Sequence, residues 1–252
     1  MRILFSFMCV LALGVMGCSD AEGTGGSAGD GGSGGTGGDG GSGGNAATFS
    51  YSVITSSTGD GTDLLEELRD STLPTLEAAG AVVYALWGPA TEQDERFSEI
   101  AEDKIVVMLS WVQVDTELLA MELEALVGAS QVDTSLWEAS LRGDEPLPTG
   151  QGFYIHRFNR YRTEDVEEAL SLSEQAWVTW EPTFGTEVVG VWRDLDEKDG
   201  LTRLLRIAWY SDLANWEETR DFARDPESFA LFAQRKALEV DDDGWSASLL
   251  ED

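Results

Sequence analysis

His156 is the only histidine in the 252-residue chain, and it stands in the run Phe153-Tyr154-Ile155-His156-Arg157-Phe158. Along a β-strand alternate side chains share a face, so Tyr154, His156 and Phe158 point one way and Ile155 and Arg157 the other. An imidazole between two aromatic rings can exchange a proton near neutral pH or meet a ligand edge. No nucleophilic cysteine or paired base accompanies it, so His156 reads first as a hydrogen-bonded wall residue. In the alternative it is the acid or base of an enzyme, with Tyr154 or Arg206 as its partner. Tyr154, His156, Phe158 and Arg206 are thus the candidate ligand-binding residues, and His156 the one candidate catalytic residue.

Other groups of reactive residues do not add up to a site. Asp241-Asp242-Asp243-Gly244 lacks the spaced carboxylates and terminal Glu of a calcium loop, and reads as a solvated turn before the last strand. Gly59-Asp60-Gly61 is a turn without the lysine of a phosphate cradle. Zinc-ligand spacings do not occur, and a lone strand histidine is weak warrant for haem. No metal and no cofactor is therefore expected.

Cys18 is the second residue whose position implies chemistry. Arg2 precedes an apolar run, Ile3 to Met16, which is too short to span a bilayer and leads into Val15-Met16-Gly17-Cys18. A charged start, a short apolar stretch, small residues and a cleavage point make a secretory signal. The cysteine at the cut resembles a bacterial lipobox, in which the thiol is acylated and becomes the new N-terminus; Met16 is larger than the residue usual there. The reading is a signal peptide over residues 1–17 and a membrane-lipid partner through acylated Cys18. Ser19 beside it resembles a signal for the outer membrane, which gives a lipid-anchored location in the bacterial cell envelope.

Residues 18–46 are dominated by Gly, Ser, Thr, Asp and Ala, with paired glycines from Gly25 onward. Nothing there could repay the entropy of ordering, so the segment reads as a flexible tether, with an r.m.s. reach of about 29 Å. The net charge is −31, from 47 acidic against 16 basic residues. A field of that sign repels phosphate backbones, which excludes nucleic acid as a partner. Cys9 and Cys18 are the only cysteines, so the mature domain is held by its core and not by disulfides. Nine Trp and ten Phe supply that core.

The elements that must position these residues read as two copies of one unit, over 47–145 and 150–252. Each copy opens on a strand (Phe49 to Thr55; Phe153 to Phe158) and continues into an amphipathic helix. Leu64, Leu65, Leu68, Leu73 and Leu76 recur before Gly80 in one copy. In the other, Val166, Ala169, Leu170, Leu172 and Trp177 follow Thr163, a candidate N-cap. Two strands ending on Trp follow in each: Ala81–Trp87 and Ile105–Trp111, then Glu187–Trp192 and Leu204–Trp209. A second helix, Thr116–Val127 or Leu213–Leu238, precedes the closing words Trp137-Glu138-Ala139-Ser140-Leu141 and Trp245-Ser246-Ala247-Ser248-Leu249. Pro146 to Gly150 reads as the linker.

The order β-α-β-β-α-β is the ferredoxin-like plan, whose sheet carries both helices on one face and leaves the other apolar and bare. The expected fold is therefore α+β: two ferredoxin-like units packed sheet to sheet within one chain, a monomer with an internal pseudo-dimer.

Tyr154-Ile155-His156-Arg157-Phe158, Val188-Val189-Gly190-Val191-Trp192-Arg193, Leu205-Arg206-Ile207-Ala208-Trp209-Tyr210 and Arg224-Asp225-Pro226-Glu227-Ser228-Phe229 together resemble the NIPSNAP family. The resemblance covers most of Gly152 to Asp252, and the first copy follows the same plan more loosely. It implies the dimeric α/β barrel, here built by tandem duplication. Where the family commonly has Glu-x-Arg-x-Tyr in its opening strand, this chain has Tyr154, His156 and Phe158, an aromatic lining. The family has no settled catalytic residues, so the resemblance assigns none. The expected function is a membrane-anchored, non-catalytic binding or interaction module for a small apolar or aromatic ligand. The alternatives are a cofactor-free monooxygenase or isomerase using the barrel cavity, and a structural envelope protein.

Overall fold

The computed structural model describes residues 47–90, 98–99, 101–143, 146–147, 151–196 and 198–250. The expected signal peptide, Cys18 and the tether lie outside them, as does all of the linker except Pro146 and Leu147. The first half runs β1 (Thr48–Ser56), α1 (Asp63–Glu67), α2 (Leu73–Ala78), β2 (Ala81–Pro89), a two-residue β3 (Ser98–Glu99), β4 (Lys104–Trp111), α3 (Thr116–Glu124) and β5 (Ala129–Leu141). The second half runs β6 (Phe153–Arg162), α4 (Val166–Phe184), β7 (Glu187–Asp194), β8 (Leu201–Tyr210), α5 (Leu213–Glu218), α6 (Pro226–Leu238) and β9 (Glu239–Leu249). Apart from β3, the two halves repeat the same β-α-β-β-α-β order.

The strands lie in the order β2-β4-β1-β5-β7-β8-β6-β9, all antiparallel, and β9 pairs back onto β2 through Trp87↔Leu249 and Pro89↔Ala247. The sheet thus closes into an eight-stranded barrel, and β3 runs parallel beside β9. One seam joins β5 to β7, the other β9 to β2, so each half lends an edge strand to the other. This is the expected ferredoxin-like pseudo-dimer, with both bare sheet faces turned inward.

Three apolar clusters follow. Phe49, Tyr51, Trp87, Trp137, Trp192 and Leu205 lead the one inside the barrel. Ile54, Leu76, Ile105, Trp111, Leu119 and Leu123 pack the first sheet under α1 to α3. Val166, Ala169, Trp177, Val188, Tyr210 and Trp216 do the same for the second sheet under α4 to α6. Trp87, Trp111, Trp137, Trp177, Trp192 and Trp216 are fully buried. Trp87, Trp111 and Trp192 at the strand ends are therefore core, and truncating one to alanine costs about 3–5 kcal/mol.

Several elements differ from their sequence expectation for local reasons. The first helix is broken by a π-helical turn, Leu68–Thr72. Pro74 has no N–H to offer the carbonyl of Asp70, so the ladder must loosen before it. Gly80 then ends α2 with φ +99°, a conformation that strains any residue with a Cβ. The single helix expected over Leu213–Leu238 is two. The chain leaves α5 at Thr219 and restarts where Asp225 accepts from Ser228 N at 3.2 Å, with Pro226 at the first turn of α6. Thr163 is not an N-cap; its hydroxyl lies 3.1 Å from that of Thr202. Asp241 to Gly244 is not a turn but part of β9, paired with β6 from Arg157 to Arg160. Its carboxylates are held by cations: Asp241 by Arg160 at 3.0 Å, and Asp242 by Lys236 at 3.0 Å.

Candidate ligand-binding site

Inside the barrel, alternation along β6 brings Tyr154, His156 and Phe158 together as expected, all buried. His156 has no exposed surface. Its Nδ1 lies 2.7 Å from the Tyr51 hydroxyl, which in turn accepts from Trp245 Nε1 at 3.1 Å. The indole can only donate, so the Tyr51 proton is best used on Nδ1, which leaves the histidine proton on Nε2. The Trp87 ring stands edge-on 4.7 Å from the imidazole and 6.1 Å from Tyr154. His156 Nε2, Trp87 Nε1 and Tyr154 Oη have no hydrogen-bond partner among the described residues.

Burial sets the electrostatics of this interior. It lowers the His156 pKa to about 3, because charging an imidazole there forfeits its hydration. Burial, and after it the charge of Glu187, raises Tyr154 to about 12. Burial also holds Tyr51 well above the ordinary tyrosine value, against the hydrogen bond from Trp245 and the charge of Arg203. Burial keeps the imidazole neutral at pH 7, with Nδ1 engaged by Tyr51.

Arg206 does not join the group. It is paired directly with Arg157 across β6 and β8, and directly paired residues of an antiparallel ladder share a face. Both arginines therefore face the helices, opposite to His156. The interior arginine is Arg203, whose guanidinium lies 4.3 Å from the Phe158 ring and 5.4 Å from Trp137. Two-residue spacing from Leu205 and Ile207 was the available signal for Arg203, as spacing from Phe49 and Val53 was for Tyr51.

On the helix face lies a cavity of about 300 Å³ between the second sheet and α4, α5 and α6. Trp177, Trp180, Tyr210, Trp216, Phe229 and Phe232 supply its aromatic wall, and Ala208 and Val188 its floor. Phe222, 63 % exposed on the loop between α5 and α6, packs against the Phe229 ring at 4.3 Å with the planes tilted by 56°. Arg157, Arg206, Arg220, Arg235 and Lys236 also line it, and no acidic side chain does so among the described residues.

A larger hollow of about 640 Å³ lies between the middle of β5, the end of β6 and the turn joining β7 to β8, but its cations are answered by acids. Arg203 stands 3.8 Å from Asp194, and Lys198 2.5 Å from Asp196. Among the described residues no cluster of three His, Cys, Asp or Glu could hold a metal. No helix there is long and apolar enough to cross a membrane.

No family model matches the chain, and no curated protein matches it. Among solved structures, an anthrone oxidase-like protein is similar with a TM-score of 0.56 at 11 % identity, over 82 % of this chain and 92 % of that one. Chlorite dismutase from Candidatus Nitrospira defluvii, in complex with imidazole, is similar with a TM-score of 0.50 at 7 % identity, over 82 % and 92 %. A NIPSNAP family protein from Agrobacterium tumefaciens matches 38 % of this chain and 90 % of its own, at 18 % identity and a TM-score of 0.31. That match is too partial to establish NIPSNAP membership. What the similarities carry is the architecture: this chain has the ferredoxin-like, dimeric α/β-barrel fold.

Proposed function

We propose that this chain is a lipid-anchored, non-catalytic binding module that takes a small apolar or aromatic molecule in the cavity between its second sheet and α4 to α6. The observation that carries the reading is a contrast within one fold. Aromatic side chains fill the barrel around His156, whereas the helix face keeps an open, aromatic-walled volume. The described residues of that wall include no histidine, cysteine or carboxylate to act as nucleophile or base. Cys18, at the end of its signal-like segment, supplies the anchor in this reading, and the Gly-rich segment holds the domain off the membrane.

The test uses indole N–H resonances in a titration with 2-naphthylmethanol. Those of Trp177, Trp180 and Trp216 should move and saturate, while those of Trp137 and Trp192 inside the barrel stay put. Movement confined to the barrel tryptophans would relocate the site and defeat the proposal. A second reading, oxidation of an aromatic substrate without a cofactor, draws support from the name of the anthrone oxidase-like structure that shares the fold. Oxygen uptake on adding an anthrone, abolished by cavity-filling Ala208→Phe, would favour it over simple binding.

A further inference from the structure

The sheet floor of the cavity sets two like charges side by side. Arg157 and Arg206 are direct cross-strand partners, an arrangement that repels unless something answers it. Arg235 enters the same space from α6. Its Nη1 donates to Ser173 Oγ at 3.2 Å, and its buried Nε has no partner among the described residues. Carboxylates reach the margin of this group, not its centre. Asp242 lies 3.8 Å from Arg157, and Glu239 is taken up by Lys236 and by Asn159.

Arg206 forms no ion pair and no hydrogen bond among the described residues. Burial, then the like charges of Arg235 and Arg157, pull its pKa down to about 9 against a smaller opposing effect of Tyr161 and Tyr210; it stays charged at neutral pH. In a chain with 47 acidic residues, a cavity without a lining carboxylate is an exception that its own composition does not explain. Arg206 is half-buried, and a partly desolvated charge without a partner costs free energy, so a partner is to be looked for outside the chain.

Resting on the cavity-binding reading above, we propose that the ligand is an organic monoanion: an apolar or aromatic body among Trp180, Trp216 and Phe229, with one carboxylate received by Arg206 and Arg235. The planar guanidinium fork of Arg206 fits a carboxylate in two parallel hydrogen bonds, and Arg235 stands beside it.

The experiment compares naphthalene-2-carboxylate with the isosteric 2-naphthylmethanol by calorimetry, on the wild type and on Arg206→Met. The carboxylate should bind the wild type at least tenfold more tightly than the alcohol, and the preference should vanish in Arg206→Met while the alcohol still binds. The unliganded variant should melt at or above the wild-type temperature, since an unanswered charge has been removed. Arg206→Lys, which keeps the charge without the fork, should retain a weaker preference and guards against a Met variant that fails to fold. Equal affinities in the wild type, or a preference that survives Arg206→Met, would overturn the anion assignment and leave the cavity reading standing. Binding of neither probe would overturn both. A tighter fit for 2-naphthyl phosphate than for the carboxylate would overturn the monoanion.

Discussion

Replacing His156 with Asn should flatten the acid limb of the stability curve. Asn Oδ1 can take the place of Nδ1 in accepting from Tyr51, so the variant removes a titrating group while keeping its one hydrogen bond. The magnitude follows from the folded pKa of about 3 against an unfolded value near 6.5. As pH falls below about 6.5 the unfolded chain takes up a proton that the native state refuses, so stability is complete above that pH and is lost on the way down to about 3. From pH 7 to pH 5 the loss is roughly 1.5 units at 1.36 kcal/mol each, or about 2 kcal/mol. For a domain of this size that is about 4–8 °C in Tm. The groups around His156 add nothing in that window: Tyr51 and Tyr154 are raised, and Trp87 and Trp245 do not titrate. The assay is thermal unfolding of residues 47–252 at pH 7, 6 and 5. Carboxylate effects common to both proteins cancel in the difference, and the cavity left by the smaller side chain shifts the variant equally at every pH. Parallel wild-type and Asn curves would refute the reasoning, because His156 would then be protonating in the native barrel.

Ala at Gly190 should destabilise by about 1–3 kcal/mol, because the new methyl would sit 2.8 Å from Gly143 Cα and 2.9 Å from the Trp192 ring at the β5–β7 seam; denaturant unfolding reads the loss. The isolated second half, Gly150 to Asp252, should dimerise or aggregate in sedimentation while residues 47–252 remain monomeric, since Tyr154, Phe158, Leu205 and Ile207 would be uncovered. A well-behaved monomeric half would contradict the packing. Mass spectrometry of the mature protein from bacterial membranes should find an acylated Cys18, and Cys18→Ser should remove the domain from the membrane fraction without altering its melting; an unmodified N-terminus defeats the anchor.

Period-two alternation along β6 was enough to put Tyr154, His156 and Phe158 on one face, because that rule needs only a strand. The duplicated strands ending on tryptophan likewise read directly as two ferredoxin-like units. Arg206 escaped because its face depends on which residue of β6 it opposes, and register is decided by pairing that the local sequence does not display. The cavity was still less legible: its cations come from β6, β8, α6 and the loop after α5, and only tertiary packing brings Arg157 and Arg235 to one point. Asp241 to Gly244 carries every mark of a turn. What keeps it in a strand is the set of cations opposite, Arg157, Arg160 and Lys236, which no local pattern announces.

The pair of seams, β5 with β7 and β9 with β2, has a consequence for chain continuity. Each half is stitched to the other on both flanks, so the ladders of the barrel by themselves join the two halves. Two polypeptides cut at the connection between Gly143 and Gln151 carry between them every ladder of the barrel, and each arrives with two open sheet edges that only its counterpart completes. A split gene could therefore encode the same ring as a heterodimer. A protease that nicked the connection would leave the ring whole.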